Sequence, residues 1–188
     1  AFKKDKHFFA PTLSTSSRAT LGGMVSTDAC GKGSRIYGKT SDHILELKIM
    51  LCDGSEWLIK NLNIEELEAI KIEEHRLAHV YRIVDGIVTD KKETIDAVFP
   101  KLKRFLTGYN LSKVKQEGSF NLNYLLAGSE GTLCVILEMK LKLTHTPKHK
   151  HLFALRYSSF NDALKDAQIL VEKDPLARAK LIIDAAEA

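Results

Sequence analysis

An α+β fold is predicted by two segments of alternating hydrophobicity, a hairpin signal and an amphipathic helical segment. In residues 44–51 and 133–143, apolar and polar side chains alternate, which is typical of half-buried strands. The dipeptide Asp53-Gly54 separates the first strand from another apolar run, so a β-hairpin is predicted there. Residues 64–83 carry apolar side chains near helical spacing and predict one amphipathic helix. Strands mixed with helices and joined by a hairpin favour α+β over a regular βαβ array.

The remaining elements are shorter. Residues 1–19 are predicted to be extended and irregular. Residues 20–29 read as a strand end leading into a short helix, with Gly22 and Gly23 at the bend. Residues 94–99 predict a short helix that ends at Pro100.

A polar segment at residues 144–150 contains Pro147 and predicts a domain boundary. The first domain then covers residues 1–146 and the second begins with residues 147–188. In this second part, residues 152–157 predict a strand, and residues 160–171 predict a helix with one apolar face.

Composition is typical of a globular protein, with 44% hydrophobic and 28% charged residues among 188. The net charge of +4 is mild and the charges are mixed, which excludes a dedicated nucleic-acid-binding surface. Cys30, Cys52 and Cys134 are widely spaced, so neither a disulfide framework nor a zinc site is predicted, and a reducing, cytoplasmic location is expected. The start at Ala1, without Met, predicts an excised piece of a longer protein.

Residues 10–38 are dense in glycine, serine and threonine. Glycine allows a ligand to approach the backbone closely, and a run of backbone N–H groups suits a phosphate. A flexible linker has a similar composition. The apolar residues interleaved with the small ones, among them Met24, Val25 and Ile36, favour a ligand cradle over a linker.

Other candidate sites are weaker. Residues 128–132, Gly-Ser-Glu-Gly-Thr, form either a simple turn or a loop that closes over a ligand. His75 and His79 have the spacing of a zinc pair, although solvated histidines on a charged helix are the favoured interpretation. A polar linker is similarly favoured over a metal site for His145, His149 and His151. The chain shows no recognisable catalytic triad, P-loop or GxGxxG motif, so no catalytic residue and no metal ligand is assigned.

Three ordered motifs carry a family resemblance: ATLGGMVSTDACGKGSRIYGKTSDHILELKIMLCDG at residues 19–54, GYNL at residues 108–111, and LLAGSEGTLCVILEMKLKL at residues 125–143. They resemble the FAD-linked oxidases of the vanillyl-alcohol-oxidase and p-cresol-methylhydroxylase (PCMH) superfamily. Within it, the likeness is to the glycolate-oxidase and D-lactate dehydrogenase branch, and to its large bacterial D-2-hydroxyglutarate dehydrogenase-like flavoproteins.

The resemblance implies that residues 1–146 are the second subdomain of a PCMH-type FAD-binding domain, incomplete at its N-terminus. Residues 147–188 would then begin the α+β substrate (cap) domain. Small residues next to a diphosphate let backbone N–H groups bond to it. The implied cofactor contacts are Pro11, Thr20, Gly22, Gly23, Ser26, Thr27, Gly31, Gly38, Glu130, Gly131 and Ile136.

Two residues depart from the family pattern, in which this element reads Asn-Ala-Gly-Gly. Asp28 stands in place of the asparagine, and it is expected to turn away from the diphosphate or to cap a helix. Cys30 stands in place of the first glycine and is expected to be a buried, inert thiol, with a redox-sensitive thiol as the alternative.

The function implied is that of a fragment of an FAD-dependent enzyme. The whole enzyme would oxidise a D-2-hydroxy acid of the D-lactate, glycolate or D-2-hydroxyglutarate class by hydride transfer to flavin. This piece would contribute FAD binding and be inactive alone. An iron–sulfur cluster and a divalent metal are implied only for other parts of the full-length protein, and the electron acceptor is not identified.

Two alternatives are kept. One is a nucleotide-binding or regulatory module without redox activity. The other is a structural domain that self-associates, because exposed sheet edges favour a homodimer. A peripheral association with the inner membrane is the alternative to a purely cytoplasmic location.

Overall fold

The computed structural model describes residues 6–101, 108–148, 152, 154–173, 178 and 182. Contacts divide the chain into two units, Ala1–Thr146 and Pro147–Ala188. The helices are α1 (Leu21–Ser26), α2 (Ser34–Tyr37), α3 (Ile64–Ile72), α4 (Arg76–Asp90), α5 (Lys92–Val98), α6 (Asn123–Leu126) and α7 (Phe160–Glu172), with a 3₁₀ helix at Thr40–His43. The strands are β1 (His7–Phe8), β2 (Ile44–Met50), β3 (Glu56–Lys60), β4 (Leu62–Asn63), β5 (Lys115–Gln116), β6 (Ser119–Phe120), β7 (Val135–Leu141) and β8 (Thr144–His145).

An antiparallel sheet in the order β3-β2-β7 forms the centre of the first unit. Leu47 on the central strand lies opposite Ile59 on β3 and Met139 on β7. Leu47 and Ile59 are fully buried, because the inward face of this sheet packs on the helices of the unit. The α+β class and the strand predicted at residues 44–51 are therefore confirmed.

The predicted hairpin between β2 and β3 is also confirmed, but its turn is wider than the two-residue type. The N–H of Leu51 donates to the carbonyl of Ser55 at 3.0 Å, which closes the loop. Gly54 has φ +81°, the left-handed conformation that glycine adopts without steric cost. The Asp53 carboxylate accepts from the N–H of Ser55 at 3.0 Å and holds the turn.

A bulge interrupts the alternation predicted for residues 133–143. Lys48 of β2 lies opposite Glu138, whereas the next residue, Ile49, lies opposite Ile136. Leu137 is the extra residue on β7 and is 39% exposed. Because of the bulge, the alternation of core-facing and solvent-facing side chains along this strand changes phase at Leu137.

The helix predicted over residues 64–83 is two helices, α3 and α4. Asn63 caps α3 through its side-chain oxygen, which accepts from the N–H of Glu66 at 2.8 Å. His75 caps α4, since its Nδ1 accepts from the N–H of Ala78 at 3.0 Å. The single-helix prediction is wrong, because the helical spacing of apolar residues continues across the short non-helical segment between α3 and α4.

Asp85 of α4 joins three elements. It is 8% exposed and accepts from Lys71 of α3 and from Lys115 of β5, both at 2.7 Å. Burial alone would raise the pKa of the Asp85 carboxyl, but the hydrogen bonds from Lys115 and Lys71 outweigh it and lower the pKa below its ordinary value of 3.8.

Strands β1 and β8 pair with each other at the two ends of the first unit. His7 lies opposite His145, and the centroids of the two rings are 4.1 Å apart. The N–H of Thr146 also donates to the carbonyl of Lys6 at 2.8 Å. The beginning and the end of this unit are thus hydrogen-bonded side by side.

In the second unit, α7 confirms the helix predicted at residues 160–171. Ser159 caps it by accepting from the N–H of Asp162 at 3.2 Å. Of the strand predicted at residues 152–157, the described residues 152 and 154–157 are not in a strand, so this prediction is wrong for them. His149 and His151 lie outside the described residues. Among the described residues, none of the helices has both the length and the apolar content that crossing a membrane requires.

Candidate functional site

Helix α1 presents a row of small residues. The Oγ1 atom of Thr20 caps this helix by accepting from the N–H of Gly23 at 3.1 Å. Both Gly22 and Gly23 lie inside the helix, which corrects the prediction that they form a bend before it. Met24 and Val25 are buried and anchor the opposite face to the core.

The glycines of this region differ in what surrounds them. Apart from the adjoining residues and, for Gly22, the backbone of its own helix, no atom of the described residues lies within 4 Å of the position that a Cβ would take on Gly22 or on Gly131. A Cβ on Gly23 would meet the Thr20 hydroxyl at 3.1 Å. The backbone at Gly22 and Gly131 is therefore open to close approach from outside the protein, which is what a phosphate-binding backbone needs.

Gly31 is enclosed by the protein itself. A Cβ at Gly31 would lie 1.5 Å from the carbonyl oxygen of Thr12. Gly33 also lies near this segment, since its Cβ would lie 3.2 Å from the Thr12 hydroxyl. Pro11 is buried in the same segment. Glycine at position 31 is required by this close approach of two backbones, whether or not a cofactor also contacts it.

Gly38 is a turn glycine with φ +83°. A Cβ at this position would meet the Asp42 carboxylate at 2.6 Å. Both the backbone conformation and the closeness of Asp42 thus require glycine at position 38.

The loop of residues 127–132 is bound to the C-terminal end of α1. The N–H of Gly128 donates to the carbonyl of Val25 at 3.0 Å, and the N–H of Glu130 donates to the carbonyl of Ser26 at 2.9 Å. Glu130 and Gly131 both have positive φ, at 51° and 80°. Two glycine-bearing segments that are about a hundred positions apart in the sequence thus meet at one place.

The other predicted contacts fall on either side of this meeting point. Thr27 follows α1 directly, and its hydroxyl donates to the carbonyl of Gly23 at 2.9 Å. Ile136 lies on β7 opposite Ile49, where it packs against the core cluster. Of the predicted contacts, seven lie on α1, at its caps, or in the loop bonded to its C-terminal end: Thr20, Gly22, Gly23, Ser26, Thr27, Glu130 and Gly131. The other four have packing contacts in the surrounding protein: Pro11, Gly31, Gly38 and Ile136.

Asp28 carries a buried charge directly after α1. Its side chain is 7% exposed and lies 2.5 Å from the Nζ of Lys39, which is 8% exposed. The other carboxylate oxygen of Asp28 accepts from the N–H of Ser41 at 2.9 Å. Asp28 therefore caps the 3₁₀ helix, as one of its two expected roles, but the pairing with Lys39 was not foreseen. The αL backbone of Asp28, at φ 44°, is a conformation that asparagine and aspartate tolerate.

Asp42 contributes to the cap of the 3₁₀ helix. It accepts from the N–H of Lys39 at 2.9 Å and from the Nζ of Lys113 at 2.8 Å. Burial would raise the pKa of the Asp42 carboxyl, but these two hydrogen bonds outweigh it and lower the pKa. A cleft of about 520 Å³ lies beside this carboxylate, and Gly38 is the one predicted contact among its described lining residues. The cleft is thus distinct from the open side of α1.

The remaining candidates have ordinary environments. Cys30 is partly exposed, which corrects the expectation of a buried thiol, whereas burial raises the pKa of the Cys134 thiol. His75 caps α4 and stacks on Trp57, with ring centroids 4.5 Å apart. His79, on the same helix, is exposed. Within the described part of the chain, no group of three or more His, Cys, Asp or Glu side chains is arranged to hold a metal ion.

Comparison with known proteins gives a consistent result. The model of a family described as an FAD binding domain matches residues 1–58. The chain is 46% identical over 178 residues to a D-2-hydroxyglutarate dehydrogenase of Pseudomonas putida, covering 94% of this chain and 18% of that protein. It is 43% identical over 173 residues to the enzyme of the same name from Escherichia coli, covering 91% of this chain and 17% of that protein. For the Haemophilus influenzae enzyme of the same name, the identity is 41% over 176 residues, covering 90% of this chain and 17% of that protein. The chain thus spans less than a fifth of the length of the curated relatives it matches.

Proposed function

We infer that this chain, a member of the FAD-linked oxidase family with an FAD binding domain over residues 1–58, is a segment of an FAD-dependent 2-hydroxy acid dehydrogenase. Its contribution is to bind FAD. The substrate class that the relatives' names indicate is D-2-hydroxyglutarate. D-lactate and glycolate, the other two substrates of the expected class, have no such support.

The observation that carries the proposal is the junction of α1 with the loop of residues 127–132. Backbone hydrogen bonds of 2.9–3.0 Å hold the two segments together, while the backbones of Gly22 and Gly131 stay open to the outside. The open backbone of Gly22, in the first turn of α1, and of Gly131 fits a ligand with a diphosphate, because small exposed residues let its oxygens reach backbone N–H groups.

The residues that would hold FAD are the small residues on and beside α1 together with Glu130 and Gly131 of the loop. Bound FAD supplies the acceptor for the hydride that leaves the substrate carbon bearing the hydroxyl group. The chain itself binds FAD and orients it. The Thr20 cap fixes the start of α1, and the buried Met24 and Val25 fix its face. Glu130, exposed and in the left-handed conformation, presents a carboxylate at the edge of the junction.

A nucleotide-binding or regulatory module without redox activity is not favoured, because the relatives reported above are all named as dehydrogenases. The assignment of residues 1–146 to the second FAD-binding subdomain and of residues 147–188 to the start of the substrate domain stays a prediction. So do a homodimer, a cytoplasmic location and a peripheral association with the inner membrane.

A bulky side chain at position 22 tests the proposal. In Gly22→Phe, the new Cβ meets no described atom within 4 Å other than those of adjoining residues and of its own helix backbone, so the fold should tolerate it. In the full-length protein, we expect FAD to bind at least about tenfold more weakly, as measured by flavin fluorescence titration.

Gly86→Phe is the matched control. Gly86 also lies in a helix and has the same open space around its Cβ position, but it lies far along the sequence from the proposed contacts. Its FAD affinity should equal that of the wild type. Equal affinity in both variants, or a wild-type protein that binds no FAD, would contradict the proposed function.

A further inference from the structure

The ion pair between Asp28 and Lys39 is the most deeply buried charge pair among the described residues. Both side chains are less than a tenth exposed, and their charged atoms are 2.5 Å apart. In the other ion pairs between described residues, at least one partner is more exposed, such as Lys71 at 23% in its pair with Asp85 and Lys140 at 62% in its pair with Glu46. Burying two charges is costly, and removing one partner leaves the other charge uncompensated.

This pair stands where three segments meet. Asp28 follows the C-cap of α1, and its carboxylate also accepts from Ser41 in the 3₁₀ helix. A Cβ on Gly128 would lie 3.3 Å from the Cβ of Asp28, so the loop of residues 127–132 packs directly against this side chain. The position of Asp28 therefore affects both glycine-bearing segments of the cofactor site.

We propose that the Asp28–Lys39 ion pair positions α1 and the loop of residues 127–132 for FAD, and so sets FAD affinity from inside the protein. Asp28 and Lys39 are positioning residues, since both side chains are buried and act through the segments that they contact. This inference rests on the proposed function, because it concerns the same FAD site.

The role of charge can be separated from the role of shape. Asparagine at position 28 keeps a side-chain oxygen for the Ser41 N–H and tolerates the αL backbone, but it leaves the Lys39 ammonium unpaired. Methionine at position 39 removes the ammonium and leaves the Asp28 carboxylate unpaired. When both changes are made together, no unpaired charge remains, so a coupled pair predicts that the double variant recovers.

The test compares Asp28→Asn, Lys39→Met and the double variant in the full-length protein. FAD dissociation constants and the visible circular dichroism of bound flavin are measured for each. We expect each single change to weaken FAD binding by at least about tenfold and to alter the flavin signal. The double variant should bind within about threefold of the wild type, and Lys39→Arg, which keeps the charge, should stay close to the wild type.

Glu46→Gln, which breaks the exposed pair with Lys140, is the control and should leave FAD affinity unchanged. If a single variant fails to fold, the double variant and Lys39→Arg carry the test, since neither leaves an unpaired charge. Wild-type affinity in Asp28→Asn and Lys39→Met, or a folded double variant that binds FAD at least about tenfold more weakly than the wild type, would overturn the inference. So would a double variant whose fold-loss of FAD affinity equals the product of the fold-losses of the two single variants. A wild-type protein that binds no FAD would instead overturn the proposed function itself.

Discussion

Glycine at position 31 is required by the fold, whereas glycine at position 22 is not. The carbonyl oxygen of Thr12 lies 1.5 Å from where a Cβ on Gly31 would be. This oxygen belongs to the backbone, so it cannot rotate away as a side chain could. Gly22 has open space on its outer side within a helix. Glycine thus allows close backbone packing at position 31 and leaves the helix surface accessible at position 22.

Alanine at these two positions should therefore change stability in opposite directions. Gly31→Ala is expected to destabilise the chain by about 3 kcal/mol or more, since backbone segments must separate. Gly22→Ala should stabilise it by up to about 1 kcal/mol, because alanine is the better helix former. Urea unfolding of the two variants checks both signs. A mild effect of Gly31→Ala would contradict the packing role of that glycine.

Asp85 provides a pH-dependent prediction. The two lysines that bond to it lower the pKa of its carboxyl in the folded protein, so its stabilisation is complete above the ordinary pKa of 3.8 and is lost as pH falls through the lowered value. Asp85→Asn should cost about 2 kcal/mol at pH 7. The difference from the wild type should shrink steadily below about pH 4.

Asp90→Asn, on the same helix, is the control for this measurement. Asp90 is exposed, and its replacement should alter stability by no more than about 0.5 kcal/mol. A constant effect of Asp85→Asn between pH 7 and pH 3 would show that its charge is not what stabilises the three elements.

At the scale of elements, the sequence predicts what depends on local periodicity. Strand β2 and its hairpin follow from alternation and from Asp53-Gly54, and α7 follows from helical spacing. The break between α3 and α4 escapes prediction because apolar residues remain in phase across it. The signal was present in Asn63, which reads as an N-cap with Glu66 three positions later, whereas a histidine cap such as His75 has no common sequence signature.

The His75 cap is testable. His75→Ala removes the acceptor for the Ala78 N–H and the stacking on Trp57, and we expect it to destabilise the chain by about 1 kcal/mol or slightly more. Trp57 fluorescence should shift as its ring becomes more exposed. His79→Ala, an exposed position on the same helix, should leave both unchanged. Equal effects of the two substitutions would show that His75 is not the start of α4.

At the scale of the whole molecule, distant residues build the candidate site, and this limits what a sequence can predict. The small residues of α1 and the loop of residues 127–132 were each foreseen from composition and from family motifs. Their hydrogen-bonded junction depends on how the chain returns from β6 through α6, which local patterns do not encode. The Asp28–Lys39 pair was missed for a related reason, since the fold decides which of the many lysines is buried beside it.

The pairing of β1 with β8 makes a prediction about truncation. A chain ending after residue 146 keeps β8, so the first unit should retain the wild-type midpoint of thermal unfolding within a few degrees. A chain ending after residue 142 lacks the partner of β1 and should unfold at a distinctly lower temperature. Circular dichroism melts of both truncated chains provide the comparison, and equal midpoints would mean that the β1–β8 pair contributes no stability.

The hydrogen bond from Thr146 to Lys6 joins residues 140 positions apart, with donor and acceptor 2.8 Å apart. A force that pulls on the chain beyond residue 146 therefore acts first on this bond and on the pairing of β1 with β8, before it reaches the central sheet.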